Sequence, residues 1–196
     1  RRFPSGTAGP FRLCRMEEQI QLIQGLNHST GRTVGLYPEL KHPAWHRTEG
    51  KDPGAALITL LARHGYDSAE AAVFVQCFEA AELKRLRRET GTTLRFIQLT
   101  DADQTLTPDY LSEVATYAQG IGPPLGLVLQ HDGTPRTAVA TAHQLGLLVH
   151  PYTARTDALP PGLSHVGVLL ERLIHGAGVD GIFIDQPDVA VAFLRD

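Results

Sequence analysis

Short apolar runs and longer amphipathic stretches alternate along this chain from Val34 to its end. The runs cover residues 34–40, 73–78, 94–99, 125–129, 147–149 and 179–184, and their brevity predicts buried strands. Between them the spacing turns helical. Thr107 and Pro108 read as N-cap and first helical residue, Leu111, Val114, Ala115 and Ala118 share one face, and Gly120 follows. Thr134 and Pro135 repeat that grammar, with Ala138, Ala142 and Leu145 before Gly146. Residues 79–90 carry Leu83 and Leu86 before Gly91, and residues 164–175 carry Val166, Leu169, Leu170 and Leu173 before Gly176. An opening helix over residues 16–26 precedes the first strand.

Repeated strand-then-helix units predict an α/β fold with a parallel sheet covered by helices. The irregular polar pieces at 41–52, 101–107 and 151–164 each follow a strand. In a (β/α)8 barrel that end of the strands carries the chemistry. An open doubly wound sheet is the competitor, but no glycine-rich phosphate turn follows any strand. A barrel of the TIM type is therefore expected. About six strands can be found where closure takes eight, so the barrel is expected to be incomplete.

Composition narrows the function. At 196 residues and 42% hydrophobic content the chain suits one domain with a substantial core, expected as a single partial domain over 1–196. A net charge of −3 gives no footprint for nucleic acid, and no apolar stretch approaches the ~20 residues of a membrane span. Cys14 and Cys77 fit neither a metal-site spacing nor a disulfide framework, and Cys77 in its apolar run reads as a core residue. The chain opens at Arg1 with no initiator Met and no export signal. It is expected to begin partway through a longer protein, or at an N-terminus left by processing.

Candidate chemistry gathers at the end of the first run. Glu39 and Lys41 lie two apart, so both face the same side of a strand. The carboxylate suits a divalent cation and the ammonium suits a phosphate oxygen; the bland alternative is an ion pair between the two. Gln76, late in the second run, could hydrogen-bond a ligand or be an inward-facing barrel amide. His42 and His46 are four apart, but Pro43 between them argues against a helix that would pair them. None of the nine histidines is assigned to catalysis. Asp185 is a candidate cap for a last helix with Pro187 in its first turn.

Ordered matches then point to a family. They include Glu17-Glu18-Gln19-Ile20, the stretch from Ile23 to Gly31, and Gly35-Leu36-Tyr37-Pro38-Glu39-Leu40-Lys41. They continue through Glu49-Gly50-Lys51-Asp52, Gln76-Cys77-Phe78-Glu79-Ala80, Gly120-Ile121-Gly122-Pro123, His150-Pro151-Tyr152-Thr153-Ala154-Arg155, and Ala177 to Asp185. The chain resembles the glycerophosphodiester phosphodiesterases, in particular their secreted or periplasmic bacterial branch. The resemblance implies a (β/α)8 barrel that hydrolyses a small-molecule glycerophosphodiester to glycerol 3-phosphate and an alcohol with a divalent cation, calcium or magnesium. It implies a periplasmic or secreted location. It places Glu39 as a metal ligand and Lys41 near the phosphate, on the family's third strand, so that about strands three to eight are present. It also places Tyr152 and Arg155 on the pocket wall, although Arg155 could pair with Asp157 instead.

The family's catalytic histidines, in a His-Arg-Gly motif and an early His-Asp pair, are absent from this sequence, as is a Glu-x-Asp before Glu39. Little or no hydrolysis by this chain alone is expected. The alternative from another class is a non-catalytic phosphate-binding or interaction remnant that self-associates through open barrel edges. A generic (β/α)8 lyase or aldolase is a third reading, for which Lys41 offers no obvious Schiff-base pocket.

Overall fold

Strands lie side by side in the order in which the chain makes them. The computed structural model describes residues 13–195. Its parallel sheet contains β1 (Glu39–Leu40), β2 (Phe74–Cys77), β3 (Arg95–Leu99), β4 (Gly120–Gly122) and β5 (Leu148–Val149), in the order β1-β2-β3-β4-β5. Glu39 stands opposite Gln76, Gln76 opposite Ile97, Ile97 opposite Gly120, and Gly120 opposite Leu148. A doubly wound sheet reverses its strand order partway; this one never does. The crossovers run through α3 (Pro53–Arg63), α4 (Ala80–Thr90), α5 (Pro108–Ala115) and α6 (Ala138–Gln144).

The sheet is strongly rolled. In a flat sheet β1 and β5 would lie about 19 Å apart, at ~4.8 Å per strand spacing. Yet Tyr37, just before β1, and His150, just after β5, share a hydrogen bond of 2.8 Å between Oη and Nδ1. Facing side chains across the interior can meet like this only in a barrel wall. Leu36, Leu40, Val75, Cys77, Phe96, Ile121 and Val149 point outward and are buried with Leu57, Leu61, Leu83, Leu86, Leu111, Val114 and Val139 of the helices. The concave side is crowded at β4. A Cβ on Gly120 would stand 2.8 Å from Ile97 Cδ1, and one on Gly122 would stand 2.6 Å from Leu99 Cδ2.

Several expected elements shift. The apolar run 125–129 is not a strand: Leu125–Leu127 form a 3-10 turn, and β4 precedes it. Leu129 then bridges Pro135 antiparallel, which makes a small turn of the segment where a helix was expected to start at Thr134. α6 begins later, at Ala138. The run 179–184 gives an extended sixth segment rather than a full strand. Phe183 N donates to Pro151 O, Ala154 N donates to Phe183 O, and one parallel bridge joins Ala154 to Ile184.

Helix ends move for local reasons. α1 (Met16–Thr30) continues to Gly31 in the left-handed region. α2 (Pro43–Thr48) occupies part of the piece expected to be irregular; Pro43 sits in its first turn and leaves His42 outside with φ 47°. α3, with Asp52 Oδ1 accepting from Ala55 N at its start, was not expected. α7 (Val166–Glu171) passes into a π-helical turn at Arg172–Ala177 and stops at Gly178, not Gly176. α8 (Pro187–Phe193) has Gln186 at its N-cap position, not Asp185.

One buried ion cluster ties the loop after β1 to α4. The Glu82 side chain is fully buried, pairs with Arg47 of α2, and accepts from Arg85 Nη2 at 2.9 Å. Arg85 Nη2 also reaches Asp52 Oδ1 at 2.8 Å. Glu79 Oε2 adds a bond from Ala44 N at 3.0 Å.

Candidate active-site mouth

Four of the five expected site residues meet at the C-terminal ends of the strands. Glu39, Lys41, Gln76 and Tyr152 line one cavity of about 320 Å³ with Phe78, Leu99, Thr153 and Phe183. Glu39 and Lys41 do face the same side, and Lys41 Nζ lies 3.3 Å from Glu39 Oε1. The Lys41 side chain is 74% exposed and that of Glu39 22%, so the pair presents its basic partner to solvent. Gln76 is 7% exposed, and its Oε1 is buried with no hydrogen-bond partner. A buried acceptor of this kind is destabilising unless something supplies a donor.

Tyr152 is held by donation from Oη to Thr100 O at 2.8 Å, and its ring meets Phe78 edge-on at 6.1 Å between centroids. Burial raises the Tyr152 phenol above its ordinary pKa, and the carboxylates of Asp101 and Glu39 add to that. Beneath the cavity lies an aromatic floor. Tyr37 stacks on Phe74 at 5.2 Å and meets Phe183 at 4.7 Å, while the Arg95 guanidinium sits 4.0 Å over Phe74. Burial pushes the Tyr37 phenol well above and the His150 imidazole below their usual values. Both groups are therefore neutral near pH 7.

Arg155 stands outside this cavity. Its Nε and Nη2 bond both oxygens of Asp157, at 3.0 and 2.8 Å, and Asp185 lies 3.4 Å away. Two residues not named as site candidates from the sequence, Glu79 and Asp101, also belong to the mouth, with His42, which was weighed there only as a partner of His46. His42, Glu79 and Asp101 line an adjoining cavity of about 290 Å³ that shares Glu39, Lys41 and Phe78 with the first. The signal was available for Phe78, two residues after Gln76 and so on the same face, and for Asp101, which directly follows the third apolar run.

The donor set does not suit a hard cation. Among the described residues no group of three or more His, Cys, Asp or Glu side chains could hold a metal ion. Glu39 stands with an ammonium on its oxygen, where calcium or magnesium takes about six or more oxygens. Among the described residues no helix is long and apolar enough to cross a membrane.

The comparisons agree with this barrel. Glycerophosphodiester phosphodiesterase of Haemophilus influenzae is 35% identical over 94% of this chain, which spans 59% of that relative. A Silicibacter pomeroyi protein assigned as a glycerophosphoryl diester phosphodiesterase superposes with a TM-score of 0.67 at 24% identity, covering 93% of this chain and 56% of that one. An Oleispira antarctica phosphodiesterase, solved in complex with the product sn-glycerol-3-phosphate, gives 0.65 at 16% identity, over 92% of this chain and 61% of its own. The chain thus spans about three-fifths of the length of these proteins. The family model for glycerophosphoryl diester phosphodiesterases matches residues 2–189. A rolled parallel sheet, a mouth built on Glu39 and Lys41, and a match of that extent have one reading: the chain belongs to the glycerophosphoryl diester phosphodiesterase family.

Proposed function

We propose that this chain forms the substrate-holding wall of a phosphodiesterase that splits glycerophosphodiesters into glycerol 3-phosphate and an alcohol. The convergence of Glu39, Lys41, Gln76 and Tyr152 on one cavity carries the reading. The Lys41 ammonium would meet a phosphate oxygen as a point charge. Gln76 Oε1 would accept from a glycerol hydroxyl, which satisfies an otherwise orphaned atom. The Tyr152 ring would cover the carbon skeleton. Glycerol 3-phosphate bound to the Oleispira antarctica phosphodiesterase supports the ligand class.

Hydrolysis needs a group to attack phosphorus and a group to protonate the leaving oxygen, and the family resemblance gives both tasks to histidines of the His-Arg-Gly and early His-Asp motifs that this sequence lacks. Among the described residues, the imidazoles at this wall are His42 at the rim and His150 in the floor, bonded to Tyr37. The reading therefore includes low turnover by this chain alone. The test is glycerol 3-phosphate release from glycerophosphocholine with calcium or magnesium, against a chelator control. Low turnover that rises when a segment bearing the His-Arg-Gly, His-Asp and Glu-x-Asp motifs is supplied supports it. Chelator-sensitive turnover by the chain alone would show that other residues do the chemistry.

A non-catalytic remnant that associates through open edges finds less support. The β1 edge is two residues long, and His42 in the left-handed region followed by Pro43 ends it abruptly. Short, interrupted edges are poor templates for pairing.

A further inference from the structure

We propose that a separate cavity, beside the turn at 129–135, binds a monoanionic amphiphile, with one carboxylate on a short hydrocarbon body. The site does not rest on the phosphodiesterase reading, since it shares no lining residue with either cavity at the mouth.

The cavity measures about 250 Å³ and lies between the segment after β4 and the segment after β5. Leu125 and Leu129 of the first segment and Pro160, Pro161 and Leu163 of the second give it apolar walls. The guanidiniums of Arg136 and Arg172 line it as well. Among the described residues neither forms an ion pair; each is held by a backbone carbonyl instead. Arg136 Nε donates to Gly126 O at 2.8 Å, and Arg172 Nη1 donates to Asp132 O at 3.2 Å. A neutral carbonyl positions a guanidinium without cancelling its charge, and most of its five N–H donors remain for a ligand.

The turn is shaped around Arg172. Gly133 stands in the left-handed region at φ 81°, and a Cβ there would overlap Arg172 Nη1. Gln130 N donates to Thr134 O at 2.8 Å and Gly133 N donates to Gln130 O at 2.9 Å, so the turn is braced before a ligand arrives.

Charge and volume select the ligand. Asp132, the acid of this turn, spends its Oδ1 on Thr134 N and Oγ1 at 2.9 and 2.7 Å. Glu171 lies by His175, and Asp103 shares a different cavity with Arg136. Two guanidiniums against the Asp132 carboxylate leave one positive charge at the turn. A single carboxylate balances it and matches the guanidinium fork, whereas a phosphate dianion exceeds it. The apolar walls reward a hydrocarbon body, each fully buried methylene adding about fourfold in affinity. The body is short, because the space falls below the ~300–1,000 Å³ of drug-sized sites.

Amide NMR titration of the 196-residue chain with octanoate, acetate, octanol and inorganic phosphate tests this. Octanoate is expected to bind about tenfold or more tighter than each of the others, and to shift the amides of Gly126 and Gly133. Arg136→Gln and Arg172→Gln should each weaken octanoate about fivefold or more. Arg136 is exposed, so its variant is expected to fold and decides the matter if Arg172→Gln does not; melting curves check both. Saturating sn-glycerol 3-phosphate should leave octanoate bound. Octanol or phosphate binding as tightly as octanoate would overturn the site, as would octanoate affinity unmoved by Arg136→Gln. Shifts gathered at Glu39 and Lys41 instead, or no octanoate binding at all, would overturn it too.

Discussion

Tyr37 and His150 are 113 residues apart in the chain and share a hydrogen bond of 2.8 Å across the inside of the sheet. The first strand and the end of the fifth are thereby locked to each other, and the floor of the cavity is made of neutral aromatic groups.

Acid should loosen this lock. Burial depresses the His150 pKa below its ordinary value of 6.5, against a smaller opposing pull from the Asp180 carboxylate. The unfolded chain then binds more protons than the folded one as pH falls past about 6.5. The stability His150 contributes is complete above that value and is lost progressively below it. Thermal melts at pH 7 and pH 5 should show a drop that His150→Gln reduces; an unchanged slope in the variant would refute the assignment.

Lys41 and Arg155 should separate cleanly. Lys41→Gln is expected to weaken sn-glycerol 3-phosphate binding by about three- to tenfold, a modest loss because the side chain is mostly solvated. The difference should diminish at high salt. Arg155→Ala should leave binding within about twofold, since Arg155 is engaged by Asp157 outside the cavity. Equilibrium dialysis at two salt concentrations checks both.

Gln76 offers a trade between stability and binding. Replacing it by Met removes an unpartnered buried oxygen at nearly constant volume. The free chain should gain about 1 kcal/mol in urea denaturation. Affinity for sn-glycerol 3-phosphate should fall about threefold or more in the same variant. A variant that gained stability and kept its affinity would make Gln76 a barrel amide with no part in ligand binding.

Glu82 should be a stability hot spot. Its removal as Glu82→Ala takes a fully buried carboxylate from Arg47, which is partly solvated, and from Arg85, which keeps Asp52 and Glu89. A loss of about 3 kcal/mol is expected, the low end for a broken buried pair because Arg47 retains water and Arg85 retains two carboxylates. Urea denaturation measures it.

The sequence disclosed the fold where local physics and tertiary packing agree. Thr107 accepts from Tyr110 N as a helix cap should, because cap chemistry is settled within four residues. β4 was hidden for the opposite reason. Gly120-Ile121-Gly122 has one side chain worth reading, and its glycines answer to Ile97 and Leu99 across the lumen. Leu125 to Leu129 looked like a strand because apolar content alone cannot tell an extended segment from a packed turn. α3 has a readable start at Asp52 and Pro53, masked by the polar stretch before it. In the site, i and i+2 spacing exposed Glu39 with Lys41, whereas Glu79 and Asp101 follow two different strands and nothing along the chain says that they line one cavity.

The cluster of Arg47, Glu82, Arg85 and Asp52 has a further meaning for ligand encounter. It anchors the segment that carries Lys41 from behind, through residues that never face the cavity. The wall is thus ordered during folding, and a ligand does not have to freeze it on arrival. Association should be a single fast phase with no preceding loop rearrangement, and damage to Glu82 would surface as a conformational tax on affinity at a distance.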